Sequence, residues 1–204
     1  MTQTVFRKLS KDECATILVE MAPFFEGSSP DPATTQILAQ DVPFYPGYAL
    51  LELSGRDPFF QDPVFALWKP GAVRMLDWTN APLYALNAEG ALLLDERTVV
   101  RYALFFLANV RAMGGFLAVV ETVDNIRWRE EPPPGARHAV SSVIVPVSLE
   151  RQDEAGCFFL NGCVLFKRSL FKAAITVFPD GAVNVSAESC LIEDLPVLDD
   201  LFER

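Results

Sequence analysis

Leu94-Asp95-Glu96-Arg97-Thr98-Val99-Val100-Arg101-Tyr102-Ala103-Leu104-Phe105-Phe106-Leu107-Ala108-Asn109-Val110-Arg111-Ala112-Met113-Gly114 reads as one long helix with both ends marked. Asp95 can cap its amino end, Leu94 and Val99 can form the flanking staple, and Gly114 supplies a left-handed stop. Val99, Ala103, Phe106, Leu107 and Val110 recur on one face, and Val100, Leu104 and Met113 widen it. A stripe that broad is made to be buried against a sheet, with Arg97, Arg101, Asn109 and Arg111 left toward solvent. The spacing predicts a central helix over about 95–113.

Carboxy-terminal to this helix the pattern turns to strands. Phe116 to Thr122 reads as one, followed by an irregular stretch from Val123 to His138 in which Pro132-Pro133-Pro134-Gly135 is a loop. Strand signals resume at Val140 to Leu149, and Glu150 to Glu154 forms a polar turn before Cys157 to Phe166. Lys167-Arg168-Ser169 turns into Leu170 to Phe178, where Phe171, Ala173, Ile175 and Val177 alternate with Lys172, Ala174 and Thr176. Pro179-Asp180-Gly181 is a turn, since Pro presets φ and Gly accepts positive φ. Val183 and Val185 continue on a returning strand. This half predicts an antiparallel meander with one solvated face.

Amino-terminal to the helix, Ser10 and Glu13 form a Ser-x-x-Glu capping box with Leu9 and Cys14 as its staple. Ile17, Leu18, Met21, Phe24 and Phe25 share a face, predicting a helix over about 11–25 that ends in Glu26 to Pro32. Asp31-Pro32 can cap a short second helix carrying Ile37 and Leu38. Tyr48 to Leu53, Val64 to Trp68, Val73 to Trp78 and Leu83 to Leu86 read as short strands separated by Pro, Gly and Asn. The expected fold is therefore α+β: a mainly antiparallel sheet of meanders, packed by a central and an amino-terminal helix. The expected organisation is a single domain over 1–204, with a helix and short-strand part to residue 90 and the helix-plus-meander part from 91.

Parts of this pattern are shared. Trp78 to Asn87, Leu94 to Tyr102, Phe105-Phe106 and Val110-Arg111 resemble a family of uncharacterised bacterial proteins. Gly162 to Val185, with Leu170-Phe171-Lys172-Ala173 and a Pro-x-Gly turn, looks like that family's carboxy-terminal part. These stretches cover about half the chain. The family has no established activity, so the resemblance implies no functional residue.

Composition narrows the function classes. The 204 residues, half of them hydrophobic and 16 of them Phe, supply a core without disulfides or metals; a chain this long buries roughly 70% of its unfolded surface. With 27 acidic against 17 basic residues the net charge is −10. That sign disfavours nucleic acid and anionic membrane surfaces, and suits solubility or a basic partner. Met1 to Lys8 lacks the apolar core of a signal peptide, and no apolar run is long enough to span a bilayer. The expected location is the cytoplasm, where Cys14, Cys157, Cys163 and Cys190 stay reduced.

No catalytic, cofactor-binding or metal-binding pattern stands out. His138 is the sole histidine and is expected in a Pro/Arg-rich loop, more often a solvated side chain than a proton shuttle. The cysteines have no Cys-x-x-Cys pair, and the phosphate-binding glycine patterns are absent. A Cys157–Cys163 contact requires Asn161-Gly162 to be a tight turn, whereas the segment reads equally as one strand. Glu121 and Asp124 are the carboxylates nearest to a catalytic pair, with solvated charges as the simpler reading. The sharpest candidate is an interaction loop, Arg127, Trp128 and Arg129 together with His138, because Trp and Arg are enriched at binding hot spots. Against it stands Trp128 folding back as a lid on the core; Trp78 is expected in the core. The acidic tail, Glu193 to Glu203, can dock on a partner or pack on its own domain. The leading expectation is a non-catalytic interaction protein without a cofactor, an acidic regulator of a basic partner or a homo-oligomer. The alternatives are a small-molecule or lipid-binding domain with an apolar pocket, and a hydrolase working through carboxylates.

Overall fold

A computed structural model describes residues 6–25, 30–56, 60, 62–111 and 117–198. Within them the fold is α+β, with two five-stranded sheets whose pairings are all antiparallel. The chain divides into two units, Met1–Leu93 and Leu94–Arg204.

The first unit is a meander. Strands β1 (Arg7–Lys8), β2 (Thr35–Asp41), β3 (Ala49–Gly55), β4 (Val64–Lys69) and β5 (Ala72–Leu76) lie side by side in chain order. Helix α1 (Lys11–Met21) starts with the capping box read in the sequence: the Ser10 amide and hydroxyl each donate to Glu13 Oε2 at 2.8 Å, and Ser10 Oγ accepts from the Glu13 amide. A 3₁₀ turn, Ala22–Phe24, closes it, so the helix ends sooner than the expected 25 and Phe24 is exposed. Ile17, Leu18 and Met21 are at most 3% exposed and pack with Leu9 and Cys14 on Ile37, Leu51, Leu53 and Ala66 of the sheet. Burial of each such side chain contributes about 1.5–3 kcal/mol before entropy is charged.

Three sequence expectations in this unit are overturned. Residues 31–38 form no second helix. Asp31 caps a turn through the Ala33 amide at 2.8 Å, and Thr35–Asp41 is a strand. The β-branched Thr35 and Ile37 alternate into the core, and seven residue pairs with β3 outweigh a weak local helix signal. Leu83 to Leu86 is no strand but the middle of helix α2 (Ala81–Ala88). Its Pro82 occupies the first turn, where a missing N–H costs nothing, and Leu83 and Leu86 lie three apart on the buried face. Trp78 sits just past β5 rather than on a strand, at φ +66°, half-buried and edge-on to Phe65 with ring centroids 5.8 Å apart.

The second unit carries α3 (Val99–Asn109), shorter than the expected 95–113 and equal in length to α1. Glu96–Thr98 is a turn held by Asp95, whose Oδ1 accepts from the Arg97 and Thr98 amides at 2.9 and 2.8 Å. Gly114, the expected stop, lies outside the described residues. Val99, Tyr102, Ala103, Phe105 and Phe106 are buried, and α3 packs on β6, β7 and β9 (Leu117–Val119, Ser148–Gln152 and Ser169–Val177). Asn109, expected toward solvent, is buried and donates from Nδ2 to the Phe105 carbonyl at 2.8 Å. Satisfied within its own helix, the amide can be buried at little cost.

β8 (Phe158–Phe166) is the axis of the second sheet. It pairs with β9 along its whole length on one side and with β7 and β6 in succession on the other, while β10 (Val183–Ile192) continues beyond β9. Phe158, Leu160 and Val164 share a buried face with Ala173, Ile175 and Val177. Cys163, Leu165 and Leu170 on the other face pack beneath Val120, Ile126, Val140, Leu195 and Val197. Only part of that face is therefore solvated, around Asn161 and Lys172.

Four further expectations change here. Pro132 to Gly135 does not remain a loop: Pro134 opens helix α4 (Pro134–Val143), placing His138 on a helix. Of the strand expected at Val140 to Leu149, Ser148 and Leu149 alone are in one. Val140 and Val143, three apart, press onto the core as a helix would, and β7 starts only at Ser148. The Glu150–Glu154 turn is displaced to Asp153–Gly156, where Asp153 Oδ1 accepts from the Cys157 amide and Gly156 adopts φ +84°. Of the strand expected at Phe116–Thr122, Phe116 lies outside the described residues, Leu117–Val119 forms β6, and Val120 to Thr122 are not in a strand. No helix among the described residues is long and apolar enough to cross a membrane.

Candidate interaction surface

The loop singled out in the sequence is held by the chain's own tail. Trp128 pairs with Val197 in an antiparallel bridge; the Arg129 amide donates to Pro196 O at 2.9 Å and the Leu198 amide to Arg127 O at 2.8 Å. Trp128 is half-buried against the core that Leu195 and Val197 complete, and its indole Nε1 is buried without a hydrogen-bond partner. The Arg127 and Arg129 side chains are exposed, as is His138 on α4. Arg137, beside His138, ties α4 to this region by pairing with Asp124 and, at 3.3 Å, with Glu131. The structure thus joins Trp128 to the tail, while Arg137 rather than His138 makes the ionic contacts. Residues 199–203 of the expected acidic tail lie outside the described residues.

The candidate carboxylates have structural partners. Glu121 Oε1 accepts from the Val147 amide at 2.7 Å, and Asp124 belongs to the Arg137 cluster. Among the described residues the carboxyls with a displaced pKa, Glu13, Asp77 and Asp95, are all pushed down by hydrogen bonds from the turns they cap. A carboxylic acid that donates a proton needs the opposite shift. The cysteines are unpaired, and β8 runs straight through Asn161-Gly162. No group of three or more His, Cys, Asp or Glu among the described residues is arranged to hold a metal ion.

The longest edge strand among the described residues is β10. This strand pairs with β9 alone among the described residues, and Asn184 and Ser186 to Leu191 are exposed along it. Ten residues at about 3.3 Å each give an edge roughly 33 Å long. Proteins usually blunt such an edge with Lys, Pro or bulges. β10 has irregularities at Ala187/Ser189 and Cys190/Ile192 but no Pro or Lys. Its sole charge, Glu188, is paired with Lys172 across the sheet at 3.0 Å. Acidic side chains stand at both ends, Asp180 before the strand and Glu193 and Asp194 after it, all exposed, with Asp194 3.8 Å from the Arg168 guanidinium. In the sequence this strand reads only as the continuation of a meander; what the pattern does not reveal is that among the described residues it pairs with β9 alone.

The first unit offers a different feature. Along α1, a groove of ≈ 200 Å³ runs over Ala39, Ala49 and Leu51 and ends at Trp68. The two alanines produce it, since small side chains beneath the helix leave the sheet surface low. Arg7 and Glu13, paired at 3.0 Å, stand at its mouth, and Trp68 Nε1 donates to Glu20 at 2.9 Å.

Comparison with protein-family models, with curated proteins and with solved structures gave no match, so the function rests on these surfaces alone.

Proposed function

We propose that this protein is a non-catalytic binding module that captures an extended, basic segment of a partner protein by strand addition to β10. The carrying observation is the long edge that pairs with β9 alone among the described residues, with acidic side chains at both ends and its one charge, Glu188, already paired with Lys172. Main-chain hydrogen bonds of the added strand supply affinity, and terminal Lys or Arg side chains facing Asp180 and the Glu193–Asp194 end supply direction and specificity. The net charge of −10 adds attraction at longer range, screened beyond roughly 10 Å at ordinary salt. The same charges argue against β10 pairing with a second copy of itself. Antiparallel self-pairing sets Asp180 against Glu193 and Asp194 of the other copy, and parallel pairing sets like ends together; like charges directly opposed destabilise a strand pair.

The test is titration with a labelled synthetic peptide of alternating Val and Thr between terminal lysines, at low and high salt. Saturable binding that weakens with salt and is reduced about tenfold in Glu193→Lys/Asp194→Lys supports the reading. Equal binding by the charge-reversed chain, or equal binding of a peptide with terminal glutamates, removes it.

The groove beside α1 favours a second reading, a small apolar ligand. Its ≈ 200 Å³ compares with the roughly 150 Å³ cavity that takes up benzene, which limits the occupant to one ring or a short acyl chain. An environment-sensitive aromatic dye displaced by Ala49→Leu, but not by Leu191→Ser on β10, separates the two surfaces.

A further inference from the structure

Thr35 opens β2 with its side chain on the same face of the sheet as Ile37, beneath α1. It is 8% exposed, and its Oγ1 has no hydrogen-bond partner. A buried hydroxyl left without a partner costs about 1–3 kcal/mol. Thr35 lines a notch of ≈ 230 Å³ between the first turn of α1 and the strand-entry segment 32–36, walled also by Lys8, Lys11, Cys14 and Thr34.

The charged side chains that line this notch, Lys8 and Lys11, are both basic; the neighbouring Asp31 carboxylate does not line it and is engaged by the Ala33 amide at 2.8 Å. Ser10 satisfies the Glu13 amide with its hydroxyl and the Cys14 amide with its carbonyl, so the Lys11 and Asp12 amides are the first-turn donors with no acceptor inside the helix. The positive end of the helix dipole lies there, and Lys8 and Lys11 bring two ammonium groups. The first turn also carries Asp12 and Glu13. Glu13, however, lines the groove on the other side of Leu9, engaged with Ser10 and Arg7, and neither carboxylate lines the notch. Burial pushes the Cys14 thiol up, so no thiolate opposes an anion.

We propose that this notch binds a small molecule through an oxyanion, a carboxylate or a phosphate. Lys8 and Lys11 supply the countercharge and the Thr35 hydroxyl donates the orienting hydrogen bond. The volume exceeds that of one water-sized group, about 30 Å³, which leaves room beside the oxyanion for an organic remainder against Pro32 and Ala33. The site lies in the first unit and does not rest on strand addition at β10.

Inorganic phosphate and acetate serve as probes, each in a thermal-shift and a calorimetric titration at ionic strength matched with chloride, since salt alone relieves the repulsion within an acidic chain. A saturable rise in Tm with phosphate assigns a phosphoryl ligand, and one with acetate a carboxylate. Thr35→Val keeps the shape and removes the unpaired hydroxyl. Its ligand-free Tm is expected to equal or exceed that of the parent while its affinity for the active probe drops about tenfold. Lys8→Ala/Lys11→Ala, both at exposed positions, is expected to lose the response. No saturable shift with either anion, or unchanged binding in both variants, overturns the site.

Discussion

A Cβ on Gly162 would stand 2.6 Å from Val147 Cγ2 and 3.2 Å from Val147 Cα, so the chain leading into β7 is laid directly on the middle of β8. Glycine is required here by close approach. Replacing it with alanine forces one of the two segments to move, and overpacking of this kind costs about 1–3 kcal/mol. Gly162→Ala is expected to lower the urea midpoint with little change in slope. Val147→Ala, added to it, is expected to recover part of the loss by removing the nearer contact. A Gly162→Ala protein as stable as the parent would show that the two segments are not in contact.

Tyr102 and Gly181 tie α3 to the turn between β9 and β10. The phenol is fully buried and donates to the Gly181 carbonyl at 2.6 Å, and Gly181 itself holds φ +81°. Tyr102→Phe leaves that acceptor unpaired in the interior, which predicts a loss of about 1–2 kcal/mol in chemical denaturation. Because the turn closes the β9–β10 hairpin, hydrogen exchange at Phe178, whose amide donates to the Ala182 carbonyl at 2.8 Å, is expected to quicken along with the loss. Unchanged stability in Tyr102→Phe would mean that water replaces the phenol at no cost.

Where local chemistry dictates structure, the sequence was readable. The Ser10–Glu13 box, the Pro179–Gly181 turn and the alternation from Phe171 to Val177 all appear as read, because each is a short-range device with its own mechanism. The misreadings share one cause. Ile37–Leu38, Leu83–Leu86 and Val140–Val143 are short apolar runs that suit a helix or a strand equally, and which one forms depends on neighbours far along the chain. Ile37 becomes a strand because β3 accepts it, and Val140 becomes a helix because Pro134 can begin one above an existing sheet. The candidate surfaces were less legible still. Trp128 was visible as a residue type, but its clamp by Pro196 to Leu198 is a contact across about seventy positions. The bareness of β10 and the unpaired Thr35 hydroxyl are properties of what lies beside them, which no local pattern carries.

The tail clamp yields a third expectation. Val197 is fully buried and forms the bridge to Trp128. Val197→Asp places a charge in that seat, so the strand of tail is expected to detach, with a loss of several kcal/mol if the charge stayed buried and a smaller loss if the tail swings out. The discriminating readout is local: the Arg129 amide, bonded to Pro196, should exchange with solvent far faster, and the emission maximum of Trp128 should move to the red in a chain with Trp68 and Trp78 replaced by Phe. An Arg129 amide as protected as in the parent would mean that the loop holds its shape without the tail.

Acid stability should be written in the first turn of α1. The Ser10 amide, then its hydroxyl, and then the Arg7 guanidinium bond the Glu13 carboxylate and lower its pKa from an ordinary 4.5 to about 2. The folded state therefore holds the carboxylate more acidic than the unfolded chain does. Between about pH 4.5 and 2 the unfolded chain binds the extra proton, and stability falls as pH falls. Glu13's contribution is complete above that window and gone below it. Glu13→Gln keeps an acceptor for Ser10 but has no charge to lose, so the gap in urea midpoint between parent and variant should be widest near neutrality and close toward about pH 2. Ser10→Ala, lacking the cap itself, should cost about 1 kcal/mol near neutrality and show a shallower acid limb, because the carboxylate loses the hydroxyl that helps hold its pKa down. A gap between parent and Glu13→Gln that stays constant through the acid range would place the role of Glu13 in packing rather than in ionisation.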